Sequence, residues 1–169
     1  MIPASHLTPH HHYPNFPEFG RFNIDLSLVE ADLIHVLQHL RSETGIPVTP
    51  SPVPGAWGRL GGSPTSRHYA VGRLSDAGDM FPAKGQTLNF WLAAQAFRHR
   101  RIGGIGIYAD TRGPDGTSWP MVHIDLRPER VLWASEVQGG RRVYYTQAEQ
   151  STAFWRVVGR ILEQERKIL

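Results

Sequence analysis

The sequence predicts an α+β domain in which a small, mainly antiparallel sheet is flanked by helices. Three observations carry that expectation. Apolar residues recur at helical spacing near both ends of the chain, and short alternating runs are confined to residues 104–145. A long Pro- and Gly-rich stretch follows the first helix, and strict strand–helix–strand alternation is missing.

Taken in order, residues 1–26 are rich in Pro and His without a helical period and read as an irregular arm. Within it, His10-His11-His12 reads as a solvated surface run. Residues 27–169 read as one domain. Ser27 and Glu30 form a capping-box pair, and Val29, Leu33, Val36 or Leu37, and Leu40 recur on one face, so the spacing predicts a helix over 28–44. Gly45 is its stop, and His35 and His39 fall at its surface or boundary. Residues 46–67 form a long loop with a short strand near Ile46 to Thr49. A loop of that length in a small domain is often functional. A second helix is expected over 87–101, with Leu88, Trp91, Leu92 and Ala96 on one side. The Arg98-His99-Arg100-Arg101 run suits its C-terminal dipole.

Strands are expected at Gly104–Tyr108, where glycines pack closely on the second face, and at Met121–Leu126 after a polar loop. Val131–Trp133 and Val143–Tyr145 are further strands with Gly139-Gly140 turning between them. A helix over about 147–167, with Phe154, Val158, Ile161 and Leu162 as its stripe, completes the list.

Composition bounds the function. Of 169 residues, 40% are hydrophobic, with seven Phe, five Trp and five Tyr, which is a globular rather than a disordered composition. There is no Cys, which excludes disulfides, Cys-ligated zinc fingers, iron–sulfur clusters and thiol nucleophiles, so a metal site must use His, Asp, Glu or backbone oxygen. The formal charge of +3 is too small to imply a nucleic-acid partner, and Arg98–Arg101 with Arg141-Arg142 are the weak basis of such a reading. No window approaches the roughly 20 apolar residues of a membrane span, and the N-terminus lacks the pattern of a signal peptide. The expectation is a protein made in the cytoplasm without membrane insertion.

Two segments carry chemistry: Gly61-Gly62-Ser63-Pro64-Thr65-Ser66-Arg67-His68 with Ala77-Gly78-Asp79-Met80-Phe81, and Val122-His123-Ile124-Asp125-Leu126-Arg127. His and Asp where loops enter short strands are residue types that a zinc site uses. His123 and Asp125, two apart on a strand, share a face, so one can ligate while the other orients it or handles a proton.

The order of Gly61-Gly62, Ser66-Arg67-His68, Gly72, Ala77-Gly78-Asp79, Gly103-Gly104-Ile105-Gly106-Ile107-Tyr108, His123-Ile124-Asp125 and Trp133 resembles the zinc D-Ala-D-Ala carboxypeptidases and peptidoglycan endopeptidases, a family that includes phage endolysins and shares a fold with the hedgehog signalling domain. The resemblance spans roughly residues 16–134 and leaves 135–169 outside. It implies His68, Asp79 and His123 as Zn2+ ligands, Ser66 as support, and Asp125 as a catalytic or orienting carboxylate. The implied reaction is hydrolysis of an amide in the peptidoglycan stem peptide, with release by lysis or carriage on a phage particle. Asp79 lies farther from the first His than the family's Asp, so Asp76 competes for its role, although Ala77-Gly78-Asp79 keeps the family's pattern. Pro120 and Met121 stand where many members carry a catalytic Glu, His or Asp. Thr49-Pro50-Ser51-Pro52 stands where the family carries an Arg, leaving Arg59 or Arg67 as the substrate-holding substitutes. The alternative implied by these departures is an inactive peptidase-fold module with a structural or binding role.

Overall fold

Three helices cover one face of a six-stranded sheet, and the opposite face carries the polar residues singled out above. The computed structural model describes residues 24–97 and 101–168. The expected arm up to residue 23, His10-His11-His12 and Arg98–Arg100 therefore lie outside the described residues. The elements are α1 (Ala31–Thr44), β1 (Val48–Pro50), β2 (Ala77–Pro82), α2 (Thr87–Ala96), β3 (Gly104–Tyr108), β4 (Met121–Asp125), β5 (Val131–Gln138), β6 (Arg141–Thr146) and α3 (Ser151–Arg166), preceded by a 3-10 turn at Leu26–Leu28.

The strand order is β1-β2-β4-β3-β5-β6. The sheet is mixed rather than mainly antiparallel: β3 pairs with β5 in parallel. After β4, which is antiparallel to β3, the chain steps over the end of β3 and reverses. A reversal that skips one strand is antiparallel to the strand it left and therefore parallel to the strand it joins. Local sequence carries no trace of that skip.

Alternation within the strands divides the two faces. Ile105, Ile107, Val122, Ile124 and Ala134 point into a core filled by Leu33, Leu37 and Leu40 of α1, Phe90, Trp91 and Ala94 of α2, and Phe154, Val157 and Ile161 of α3. The second cluster, Phe81, Tyr108, Met121 and Trp133, lies on the other face.

Several boundaries differ from the sequence expectation for physical reasons. The capping box does not form: Ser27 sits in the 3-10 turn, bonded to Asp25, and α1 starts three residues later without a side-chain cap at Glu30. Gly45 ends α1 as expected, at φ 65° with its N–H on the Arg41 carbonyl. His35 is exposed and His39 half-buried. In α2 the buried face is Thr87, Phe90, Trp91 and Ala94, whereas Leu92 is exposed. Its N-terminus is capped from α3, where the buried Glu165 carboxylate accepts the N–H groups of Thr87 and Leu88. In α3, Phe154 and Ile161 are buried with Val157, and Leu162 is exposed.

Candidate metal centre

The sheet register builds one lateral row across five strands. Asp79 of β2 is paired with His123 of β4, His123 with Gly106 of β3, Gly106 with Trp133 of β5, and Trp133 with Thr146 of β6. Two neighbouring strands thus bring a carboxylate and an imidazole from 44 residues apart onto one face. Gly106 leaves the space that the Trp133 ring occupies, since a Cβ there would lie 2.4 Å from the indole. Trp133 in turn packs against His123 in a tilted contact, with ring centroids 5.0 Å apart.

His68 comes from the long connection between β1 and β2, which is tied down by backbone bonds. The Arg59 N–H donates to the His68 carbonyl at 2.8 Å, and the Ala70 N–H donates to Arg59 at 2.8 Å. The same loop fixes Asp79, whose N–H donates to Ala56 and whose carbonyl accepts the Ser51 N–H. Ser66 Oγ accepts the His68 N–H at 3.3 Å, so Ser66 supports the His68 backbone.

The three side chains converge. His123 Nδ1 lies 2.8 Å from Asp79 Oδ1 and 3.2 Å from His68 Nε2, and His68 Nε2 lies 3.6 Å from Asp79 Oδ1. Donor atoms placed about 2.0–2.2 Å from a tetrahedral centre are about 3.3–3.6 Å apart, so this triangle needs little adjustment to hold a cation. Among the described residues this is the one group of three or more ligating side chains that could hold a metal ion.

The surroundings of His123 favour the ligating tautomer. Its Nε2 faces Asp125 Oδ2 at 3.0 Å, so an Nε2–H donated to that carboxylate leaves the Nδ1 lone pair toward His68 and Asp79. Asp125 has no exposed surface. It also accepts the Gly104 N–H at 3.1 Å, the Arg127 N–H at 3.1 Å and the Arg127 guanidinium. Gly104 is required for that approach, because a Cβ would sit 2.3 Å from the carboxylate.

Burial lowers the pKa of His68 to about 4, an effect that Asp79 only partly opposes. Burial also disfavours charge on His123, but the carboxylates of Asp125 and Asp79 outweigh it and hold that histidine at about 9. Asp125 lies well below the usual carboxylate range: burial opposes its charge, and the bonds from His123 and Arg127 prevail. Without a metal the second His123 proton therefore sits on Nδ1 toward Asp79, and a cation would have to displace it to use the Nδ1 lone pair.

These side chains line an open cleft of ≈ 480 Å³. Of the residues singled out from sequence, His68, Asp79, His123, Ser66, Arg59 and Arg67 all line it or stand in it. Asp76 does not join the cluster; it pairs with Arg67. Asp125, read as catalytic or orienting, stands behind His123 and does not line the cleft, so its geometry is that of a positioning group. No ion pair with a carboxylate engages Arg59 among the described residues, whereas Arg67 and Arg127 are held by Asp76 and Asp125.

Sequence reasoning quoted Arg127 and Tyr108 within its motifs without giving either a role, and it did not connect Tyr144 or Thr146 with the cleft. The signal for Arg127 was parity, since it continues the alternation of His123 and Asp125. For Tyr144 and Thr146 no local signal existed, because only the pairing of β6 with β5 brings them to this face. No protein-family model, curated protein or solved structure matches the chain.

Proposed function

We propose that the protein is a zinc-dependent hydrolase of an amide bond in the peptidoglycan stem peptide, of the D-Ala-D-Ala carboxypeptidase or L-Ala-D-Glu endopeptidase type, acting during phage lysis or from a phage particle. The observation that carries this reading is the convergence of His68, Asp79 and His123, the ligand set implied by the resemblance, at an open cleft. Bound zinc supplies a Lewis acid and a water whose pKa falls toward about 7. The chain's own residues do the rest. Asp125, clamped by Arg127 and Gly104, holds the His123 ring and its tautomer. Arg59, with no carboxylate partner among the described residues, is the group that holds a carboxylate of the peptide. Trp133 and Arg127, stacked 5.2 Å apart, form a wall that keeps the peptide in register.

A second reading rests on its own observation. Asp79 is the one carboxylate among the cleft-lining residues, and Met121 is packed with Phe81, Tyr108 and Trp133 where the family's acid or base would stand. A module that holds metal and binds wall peptide without cutting it has the same features.

Mass spectrometry of Gram-negative and Gram-positive peptidoglycan incubated with zinc-loaded protein separates the two. New stem-peptide fragments that vanish with chelator are the expected result, and their masses identify the bond. Intact peptidoglycan after incubation with folded, zinc-loaded protein favours the binding module.

A further inference from the structure

Among the polar groups of the cleft without a task in the scheme above is the Tyr108 hydroxyl. The side chain is 9% exposed, yet it lines the same cleft as His68, Asp79 and His123. Its oxygen accepts the Trp133 Nε1–H at 3.1 Å. An indole nitrogen can only donate, so this bond fixes the phenol as acceptor on that side and leaves its own proton to be placed elsewhere. Among the described residues no acceptor takes that proton. A phenol held as acceptor on one side and facing the cleft with its O–H is free to donate to a molecule bound there.

Its position suits that purpose. Tyr108 pairs with Met121, and His123 pairs with Gly106, so Tyr108 and His123 are diagonal neighbours on one face of β3 and β4. Diagonal neighbours lie about 7–8 Å apart at the backbone, within reach of an aromatic side chain, so both side chains serve the same cleft. The Trp133 ring that orients the hydroxyl is also the ring packed against His123, which ties the donor to the ligand row. The edge of Tyr144 braces the phenol ring at 6.0 Å, and Arg142 lies over it at 5.5 Å. Burial, first, with the nearby Asp79 charge, raises the phenol far above its ordinary range, so the hydroxyl stays protonated at any physiological pH.

Resting on the hydrolase reading, we propose that Tyr108 is a catalytic residue whose O–H, oriented by Trp133, donates a hydrogen bond to the carbonyl oxygen of the peptide in the cleft. A fixed donor of this kind gains strength as negative charge builds on that oxygen, which is where its effect on rate arises.

The test uses Y108F, which keeps the ring and removes the hydroxyl, with a synthetic muramyl pentapeptide as probe. The expected result is a kcat lower by about 10²-fold or more, with KM within about twofold and zinc stoichiometry unchanged. W133F, which keeps an aromatic ring but removes the orienting N–H, should lower kcat by a smaller factor, and it carries the test if Y108F does not fold. Y108F with wild-type kcat overturns the proposal and leaves the hydrolase reading standing. Wild-type protein that binds the peptide without cleaving it, with calorimetric affinity at least about fivefold weaker in Y108F, upholds Tyr108 as the ligand's donor and overturns the hydrolase reading. Equal affinity of the two proteins in that case, or a wild type that neither cleaves nor binds, overturns both.

Discussion

At the scale of single residues, the choice between Asp76 and Asp79 shows what spacing alone leaves open. Both follow His68 closely, and both precede or enter a strand. The structure separates them by partner: Asp76 is engaged by Arg67, and Asp79 faces His68 and His123. Asp79→Ala should therefore abolish stoichiometric zinc binding, and Asp76→Ala should retain about one equivalent; inductively coupled plasma mass spectrometry of dialysed protein reads both, and the reverse result would place the ligand wrongly. The two histidines also titrate apart. His68, at about 4, lies below its ordinary 6.5, so its contribution to stability is present above about 6.5 and lost as pH falls through 4. His123, at about 9, lies above it, so its contribution is full below about 6.5 and lost as pH rises through 9. In metal-free protein at pH near 6.5, imidazole nitrogen NMR should find His123 doubly protonated and His68 neutral. Zinc should then remove the His123 proton, and a common midpoint for both rings contradicts the assignment.

Among the elements, β3 and β4 proved more legible than helix ends or than β2 (Ala77–Pro82), which was not among the expected strands. The alternation of Ile105 and Ile107 around Gly106, and of Val122 and Ile124 around His123, marks β3 and β4 without ambiguity, because a pleated strand sends alternate residues to opposite faces. Helix starts depend on groups far away in sequence. Ser27 and Glu30 have the chemistry of a capping box, yet the backbone turns at Leu26–Leu28 and Ser27 bonds Asp25 instead. The N-terminus of α2 is served by Glu165, 78 residues on, which no local pattern announces. Glu165→Ala leaves two N–H groups in the interior without an acceptor and should cost about 1–3 kcal/mol of stability by urea denaturation. A change below about 0.5 kcal/mol would show that water or another group takes over the cap.

For the molecule as a whole, residues 135–169 lie outside the family resemblance but inside the core. Phe154, Val157 and Ile161 of α3 are fully buried against the sheet, and β6 delivers Tyr144 and Thr146 to the cleft. Arg156 and Arg160 of α3 both engage Glu136 of β5, which is nearly fully buried, and Arg160 also reaches Asp110. A chain ending at residue 138 should consequently lose cooperative thermal unfolding by circular dichroism; a truncated chain that melts as sharply as the full one would make this segment an accessory. The sequence by itself determined the α+β class, the three helices and every strand except β2, because periodicity and turn residues are local properties, and its order of motifs, through the family resemblance, implied the three side chains that meet. Only the tertiary structure decided that β5 lies parallel to β3, that Asp125 stands behind His123 rather than in the cleft, and that Tyr108, Arg127 and Tyr144 share the site. Those outcomes depend on strand order and register, which are set by the burial of the whole sheet against three helices and leave no imprint on any short stretch of chain.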